Sequence, residues 1–511
     1  MTVAAFSHRL LNAAERPIGA WYDRAGSGLA IPILLALFVV AWTLFHTVSQ
    51  ASIGLHFDVT ELFSWSRHLS AGYYKHPPLG ALMMRVWLNV FPAADWSVYL
   101  LAMTNSAAAL FVVDRIAARY LDGDKRLLVI LLLLLTPFYQ FHSHKFNANQ
   151  ILLSIWPIAT YCFLRAFETR GVLWSTAAGV AAALAMLGKY YSIYLIGSFV
   201  VAALVHPARW TYLKSASPWI SGTVGLALLA PHLHWLTNTG FEALAYAVET
   251  HASGSLLVIF GKIGTYLLGA LAYVAVPIAV WWLAVRPDRQ ALADLIWPSN
   301  PDRRMLVVLL AGQLLLPPLS SPFLGVTVTS LWTMSAWFLL PIVLLSSPRI
   351  HMQRQAAIRV ALLVGAVTLG TLVAAPAIAW TYHLNGVRQY RAYFAPLSEE
   401  LTRQWRELTG RPLTIVLGHP DLAAGAGFYS PDRPDAMPDF KPSSAPWITP
   451  ERLRREGWVA VCPSEDQRCL RHAELRTREP DVQPRTIETT PTFLGRAGKP
   501  HQFSVWMIPP K

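Results

Sequence analysis

Charge is what this 511-residue sequence has least of: Asp, Glu, Lys and Arg together make up 14% of it, where a soluble globular protein carries about 25%. So few charges cannot solvate the surface of a chain this long, and the same figures exclude intrinsic disorder. Cysteine is scarce too, at 3 residues, which excludes a disulfide scaffold. A convincing glycine-rich phosphate loop is also missing, since Gly418–Gly427 is only a weak lookalike. What fills the sequence is apolar. Hydrophobic residues reach 54% and the mean hydropathy is +0.38, the composition of an α-helical polytopic membrane protein.

The 42 Lys and Arg exceed the 29 Asp and Glu, giving +13. In a soluble protein that excess suggests nucleic acid, but here its distribution along the chain decides. Residues 385–511 hold 18 basic and 15 acidic residues in a polar, Pro-rich stretch, whereas the first 384 are apolar and Trp-rich. This predicts a membrane domain over 1–384 and a small C-terminal domain over 385–511, with no nucleic-acid partner.

About eleven apolar runs approach the length needed to cross about 30 Å of hydrocarbon. They fall at 29–49, 97–118, 127–141, 148–167, 172–188, 191–206, 218–236, 256–285, 305–321, 329–347 and 359–381. Placing the N-terminus inside puts most basic loop residues on the cytoplasmic side, among them Arg9, Arg16, Arg24, Arg126, Arg209 and Arg303. An odd number of spans then leaves the tail outside, in the periplasm of a Gram-negative cell. The 28 residues before the first run are too long and polar for a signal n-region, so that run reads as a retained span. On the outer side only Arg67, Lys75, Arg85, Lys145, Lys189 and Lys262 remain as cations, and Asp58, Glu61, Asp95, Glu242 and Glu249 as acids. An outward-facing site has to draw its ionisable groups from these and from nearby histidines.

The densest cluster is the first outer loop, 50–96, where His56-Phe57-Asp58-Val59-Thr60-Glu61 leads to Trp65, Arg67 and His68 and then to Tyr73-Tyr74-Lys75-His76-Pro77-Pro78-Leu79. Asp58, Glu61, Trp65 and His68 share one face of a helix. Two readings are open from spacing alone: an interfacial amphipathic helix with solvated charges, or an active-site wall. The adjacent prolines favour an extended or turn segment before a helix resumes.

This acidic loop followed by Tyr74-Lys75-His76-Pro77-Pro78-Leu79 resembles the membrane glycosyltransferases of family 39 and the related lipid A aminoarabinose and galacturonic acid transferases. The likeness extends through Lys145-Phe146-Asn147-Ala148-Asn149 and Gly188-Lys189-Tyr190-Tyr191, and reappears at Gly418-His419 and Phe428–Pro434. It implies a GT-C fold and transfer of a sugar from a polyprenyl-phosphate donor to a lipid or glycan acceptor at the periplasmic face of the inner membrane. Such a donor already carries its phosphate leaving group, so no nucleotide loop is required. The chemistry needs a carboxylate to take the acceptor's proton and cations where charge gathers on the departing phosphate.

The resemblance places Asp58 as the general base and Glu61 as its companion, orienting a hydroxyl or pairing with a cation. Lys75 and Lys189 are the candidates for the donor phosphate, with Arg67, Tyr74, His76, Lys145 and Tyr190 also expected to bind substrate; a snorkelling role is the alternative for Lys189. His76 stands where several relatives have Lys, and Lys75 where the aminoarabinose transferases have an acid, departures that weaken any transferred metal site. A divalent ion on Asp58 and His76 remains a weaker alternative to a histidine donating to phosphate, and no cofactor is required. His142-x-His144 and His232-x-His234 read as interfacial packing, Asn147 and Asn149 as an N-cap or as sugar contacts, and Ala177–Ala183 as a close-packing surface.

In the tail, Leu413–Leu417, Trp458–Val461 and Gln502–Ile508 read as strands and Pro450–Glu456 and Asp466–Leu475 as helices, a small α/β layer. An oxidising compartment permits a disulfide between Cys462 and Cys469. Protein O-mannosylation is the rival acceptor chemistry. A transporter of a lipid-linked sugar is the rival class, although no internal repeat or midplane ionisable cluster supports it.

Overall fold

The structure, a computed structural model, describes residues 19–20, 29–477 and 483–511; Arg9, Arg16 and Arg24 lie outside them. Among the described residues six helices are long and apolar enough to cross a membrane: Ala30–Ser49, Asp95–Ala117, Ala148–Thr169, Leu256–Val285, Pro301–Leu324 and Arg354–Asn385. Val172–Gly188, Ile193–Val205 and Ser217–Asn238 complete the bundle. Two expected spans are broken. The run 127–141 stays α-helical only over Gly123–Leu133, because Thr136-Pro137 follows and proline offers no N–H to continue the ladder. The run 329–347 divides into 3₁₀ turns at Ser330–Ser335 and Trp337–Leu339 before a short helix, Leu340–Leu345, restarts with Pro341 in its first turn.

Polar glue sets the register of the helices behind the outer loop. Asn105 donates to the Gln150 carbonyl at 2.8 Å, Gln150 donates to the Ala102 carbonyl at 2.7 Å, and Ser154 donates to Asn105 at 2.5 Å. These bonds tie Asp95–Ala117 to Ala148–Thr169 where lipid supplies no hydrophobic drive for helix association. The small-residue run has its expected effect. A Cβ on Gly179 would stand 2.5 Å from the Ser221 carbonyl, so Val172–Gly188 and Ser217–Asn238 touch backbone to backbone.

After Asn385 the chain builds a mixed sheet. Its strands are β1 (Ile415–Gly418), β2 (Asp435–Pro438), β3 (Trp458–Pro463), β4 (Arg485–Thr489) and β7 (His501–Ile508), in the order β2-β1-β3-β7-β4. The short strands β5 (Thr492–Phe493) and β6 (Arg496–Ala497) form a separate ribbon. β1 runs parallel to β2 and β3, while β7 is antiparallel to β3 and β4. Strand alternation builds two cores. Val416, Val459 and Val461 join Leu397, Leu401 and Trp405 of helix Phe394–Thr409 on one face, and Ile415, Leu417, Trp458, Ala460 and Trp506 face the other. Cys462 of β3 is bonded to Cys469 of helix Gln467–Thr477, with Cα atoms 5.7 Å apart, so that helix is fastened to the sheet. The sequence reading finds β1, β3 and β7 but neither edge strand of the sheet: β2, four residues preceded by Pro434 and ending at Pro438, and β4.

Candidate active site

The outer loop folds as a helix, Phe57–Arg67. His56 caps it, its Nδ1 accepting the Asp58 N–H at 3.3 Å, and the Asp58 carboxylate sits in the first turn, where the helix dipole favours an anion. The chain then turns back. Tyr73 stacks parallel on Trp65 at 4.9 Å and donates to the Trp65 and His68 carbonyls at 3.1 Å, while Tyr73 and His76 exchange backbone hydrogen bonds. This hairpin lays Tyr74 and Lys75 beside the helix. Pro77-Pro78 end it and open helix Leu79–Leu88. A Cβ on Gly72 would lie 2.4 Å from Trp235, so the loop rests on the ring of Trp235 with no room for a side chain.

These elements enclose a cavity of roughly 180 Å³. Its wall includes Asp58, Glu61, Lys75 and His76 from the loop, Asn147 and Asn149 from the start of Ala148–Thr169, and Lys189. Asp58 is the accessible acid, its side chain 42% exposed, and its Oδ2 accepts from Asn147 Nδ2 at 2.8 Å. Asn147 also fills the cap expected of it, its Oδ1 accepting the Asn149 and Gln150 N–H groups, while its bond to Asp58 is one the sequence does not announce. Lys189 donates to Asn149 Oδ1 at 2.6 Å and lies over Trp332. Burial lowers its ammonium to about 8, with Asp58 pulling the other way.

Glu61 is a different kind of acid. It is 4% exposed and accepts from both Tyr74 Oη and Lys75 Nζ at 2.8 Å. Burial raises its carboxyl above the ordinary range against the pull of Lys75. The same carboxylate holds the Lys75 ammonium above its own range although burial acts to lower it. Phe57, Tyr74 and Tyr246 present their rings to that ammonium at 4.9, 5.0 and 5.8 Å. His76 is held neutral: burial, then Lys189 and Lys75 against Asp58, bring it to about 3.

Four of the expected substrate residues lie elsewhere. Tyr74, bonded to Glu61, lines a neighbouring cleft instead. Tyr190 stands behind the wall and donates to His232 Nε2 at 3.0 Å, His232 in turn donating from Nδ1 to the Ala71 carbonyl at 2.7 Å. A carbonyl can only accept, which fixes that tautomer. Lys145 is outside the cavity, its ammonium lowered by burial and raised by Asp58. Arg67 turns to the outer domain, donating to the Arg433 and Pro434 carbonyls and lying 3.6 Å from Asp435. His68, on the acidic face in the sequence, bonds Asp435 at 2.7 Å and stacks on Trp447. Among the described residues no group of three or more His, Cys, Asp or Glu side chains converges as a metal site requires.

The outer domain closes one side of the site. Its helix Pro420–Tyr429 packs on the loop helix, with Phe428 edge-on to Phe63 at 4.9 Å. Tyr429 donates to Asp95 at 2.8 Å and accepts the Leu55 N–H at 2.7 Å, and Arg391 donates to Gly54 and Gln50. In the first turn of this helix Asp421 is 9% exposed and, among the described residues, has no hydrogen bond or ion pair. Burial raises it to about 7, with Asp58 adding to the shift and Lys75 opposing it. Asp421 and Tyr246 escape the sequence reading and His232 is read there only as interfacial packing, because each joins the loop only through tertiary packing.

This architecture has solved counterparts. The structures of ArnT from Cupriavidus metallidurans, bound to undecaprenyl phosphate and in the apo state, each superpose with a TM-score of 0.60 at 14% identity, covering 93% and 94% of this chain and 97% and 98% of theirs. The chain has the ArnT fold. This is the GT-C architecture that the loop motif implies. Residues 75–235 match the family described as dolichyl-phosphate-mannose-protein mannosyltransferase. Among curated proteins, the lipid A galacturonosyltransferase RgtD of Rhizobium johnstonii is 27% identical over 281 residues, 52% of this chain. The chain thus spans 58% of the length of that relative.

Proposed function

We propose that this protein is a bacterial inner-membrane glycosyltransferase that moves a sugar from a polyprenyl-phosphate donor to an envelope lipid or glycan on the periplasmic face. The observation that carries the reading is one cavity lined by an accessible carboxylate, Asp58, and two cations, Lys75 and Lys189. Asp58 takes the proton of the acceptor hydroxyl as its oxygen bonds to the anomeric carbon and the bond from that carbon to the phosphate oxygen breaks. Lys75 and Lys189 meet the charge that accumulates on the leaving phosphate. Neutral His76 has an N–H to donate to the same oxygens, and Glu61 holds Lys75 in place rather than touching substrate. The lipid bound in the ArnT structure and the acceptor in the name of RgtD support this choice of donor and acceptor.

Mass spectrometry of envelope lipids and glycans from a deletion strain tests it. We expect a sugar-sized mass to disappear, to return with the wild-type gene and to stay absent with equally expressed Asp58→Asn, a general base being worth about 10²–10⁴ in rate. Full complementation by Asp58→Asn removes Asp58 from the mechanism. A protein acceptor is the second reading, favoured by the description of the family matching 75–235, and a lost glycopeptide mass in place of a lost glycolipid would establish it. Failure of the purified protein to consume a polyprenyl-phosphate sugar in detergent would favour transport instead.

A further inference from the structure

A second cleft adjoins the first. It is about 700 Å³ in volume and shares Lys75 and Tyr246 with the catalytic cavity, but its other wall belongs to the outer domain. That wall is mainly cationic, with Asp439 as its one acid among the described residues. Arg468, His472 and Arg476 recur every fourth residue along helix Gln467–Thr477 and line the cleft as one stripe. Among the described residues the two guanidiniums have no carboxylate partner, whereas Arg403 and Arg452 of the same domain are paired with acids. Opposite them Lys441 reaches over the Tyr74 ring at 5.3 Å while paired with Glu242 at 2.7 Å. Asp439 and Phe440, at φ 53° and 55°, give the backbone the left-handed bend that brings Phe440 and Lys441 to the cleft. Non-glycine residues hold such angles only where the surrounding structure over-determines them. The disulfide and the buried Ala473 seat the same helix against β3, so the stripe is presented from a fixed support.

Guanidiniums without a carboxylate partner among the described residues, on a face open to solvent and continuous with the first cavity, suit a multivalent oxyanion. In the reading above the donor phosphate already has Lys189 and Lys75 of the first cavity. We propose that this cleft binds an anionic group, phosphate or carboxylate, on the acceptor and so selects acidic acceptors over neutral ones. The proposal rests on the transferase reading above and names the acceptor side of the same site.

Native mass spectrometry of the full chain in detergent tests it with three probes: undecaprenyl phosphate, a bis-phosphorylated disaccharide glycolipid, and the same glycolipid dephosphorylated. We expect the wild type to prefer the phosphorylated over the dephosphorylated glycolipid by about tenfold or more. The double variant Arg468→Gln/Arg476→Gln loses that preference but binds undecaprenyl phosphate as before, and Arg468→Lys/Arg476→Lys retains most of the preference, separating charge from folding. An unchanged preference in the Gln variant overturns the proposal, as does an equal loss of undecaprenyl phosphate binding, which would assign the cleft to the donor. Because the readout is binding, absence of transfer in every sample while the preference persists would count against the transferase reading and not against the cleft.

Discussion

Replacing Glu61 with Gln asks how much the buried Glu61–Lys75 pair contributes to holding the outer loop. The substitution keeps shape and leaves one carbonyl oxygen to accept, where the carboxylate accepts from Tyr74 and Lys75 at 2.8 Å each. What is lost is one charge-assisted hydrogen bond, about 1.5–3 kcal/mol, together with the counter-charge of an ammonium whose side chain is 14% exposed. Breaking a buried pair from one side costs about 3–5 kcal/mol. Three aromatic rings around the ammonium offset part of this, about 0.5–1 kcal/mol each. Glu61→Gln is therefore expected to destabilise by about 2–4 kcal/mol, read as a lowered denaturant midpoint of the purified protein in detergent. Lys75→Met should cost a similar amount, and Glu61→Gln/Lys75→Met less than the two singles together, a coupling of about 2 kcal/mol. Single losses under about 0.5 kcal/mol, or strict additivity, would refute the claim that this pair positions the loop.

Three further outcomes follow from the geometry. Asn147→Ala removes both a helix cap and the donor to Asp58, so about 1 kcal/mol of stability and about tenfold in transfer rate should be lost together, while Asn147→Asp restores the cap but not the rate. Asp421 ionises near 3.8 in an unfolded chain and near 7 here; its folded form is the weaker acid, so stability present below pH 4 is lost as pH rises through 7. Asp421→Asn should therefore match wild type at pH 4 and exceed it by about 2 kcal/mol at pH 8 in pH-resolved thermal unfolding, a gap below the full shift because the group keeps some solvent contact. Replacing Cys462 and Cys469 with Ala opens a short loop and is expected to cost about 2 kcal/mol in the outer domain, measured as earlier proteolysis between β3 and β4.

Much of this protein is visible in its sequence where a single segment carries the signal. Val172–Gly188 and Leu256–Val285 are continuous apolar runs and fold with the expected limits. The acidic face of 57–67 needs only helical spacing, so Asp58, Glu61 and Trp65 meet one cavity. Where partners come from afar, the signal disappears. His68 leaves that face because Asp435 and Trp447, far along the chain, offer a salt bridge and a stack. His232 looks like a packing histidine until Tyr190 and Ala71 arrive on either side. The run 329–347 is apolar enough for a span, yet the Trp337 indole donating to Thr333 and the restart at Pro341 favour tight turns over one long helix. Asp421 carries no local mark, because its environment is made by a helix more than 350 residues earlier.

The seam between the loop helix and Pro420–Tyr429 bears on how such chains can be recombined. Asp95, Gly54 and Leu55 on one side hold Tyr429 and Arg391 on the other, and Phe63 meets Phe428. A graft that exchanges everything after Asn385 for the tail of a relative would cut through this lattice and leave half of its contacts without their counterparts. The natural unit of exchange is discontinuous. Residues 50–96 and the outer domain have to travel together as one cassette, with the remaining spans as their common chassis.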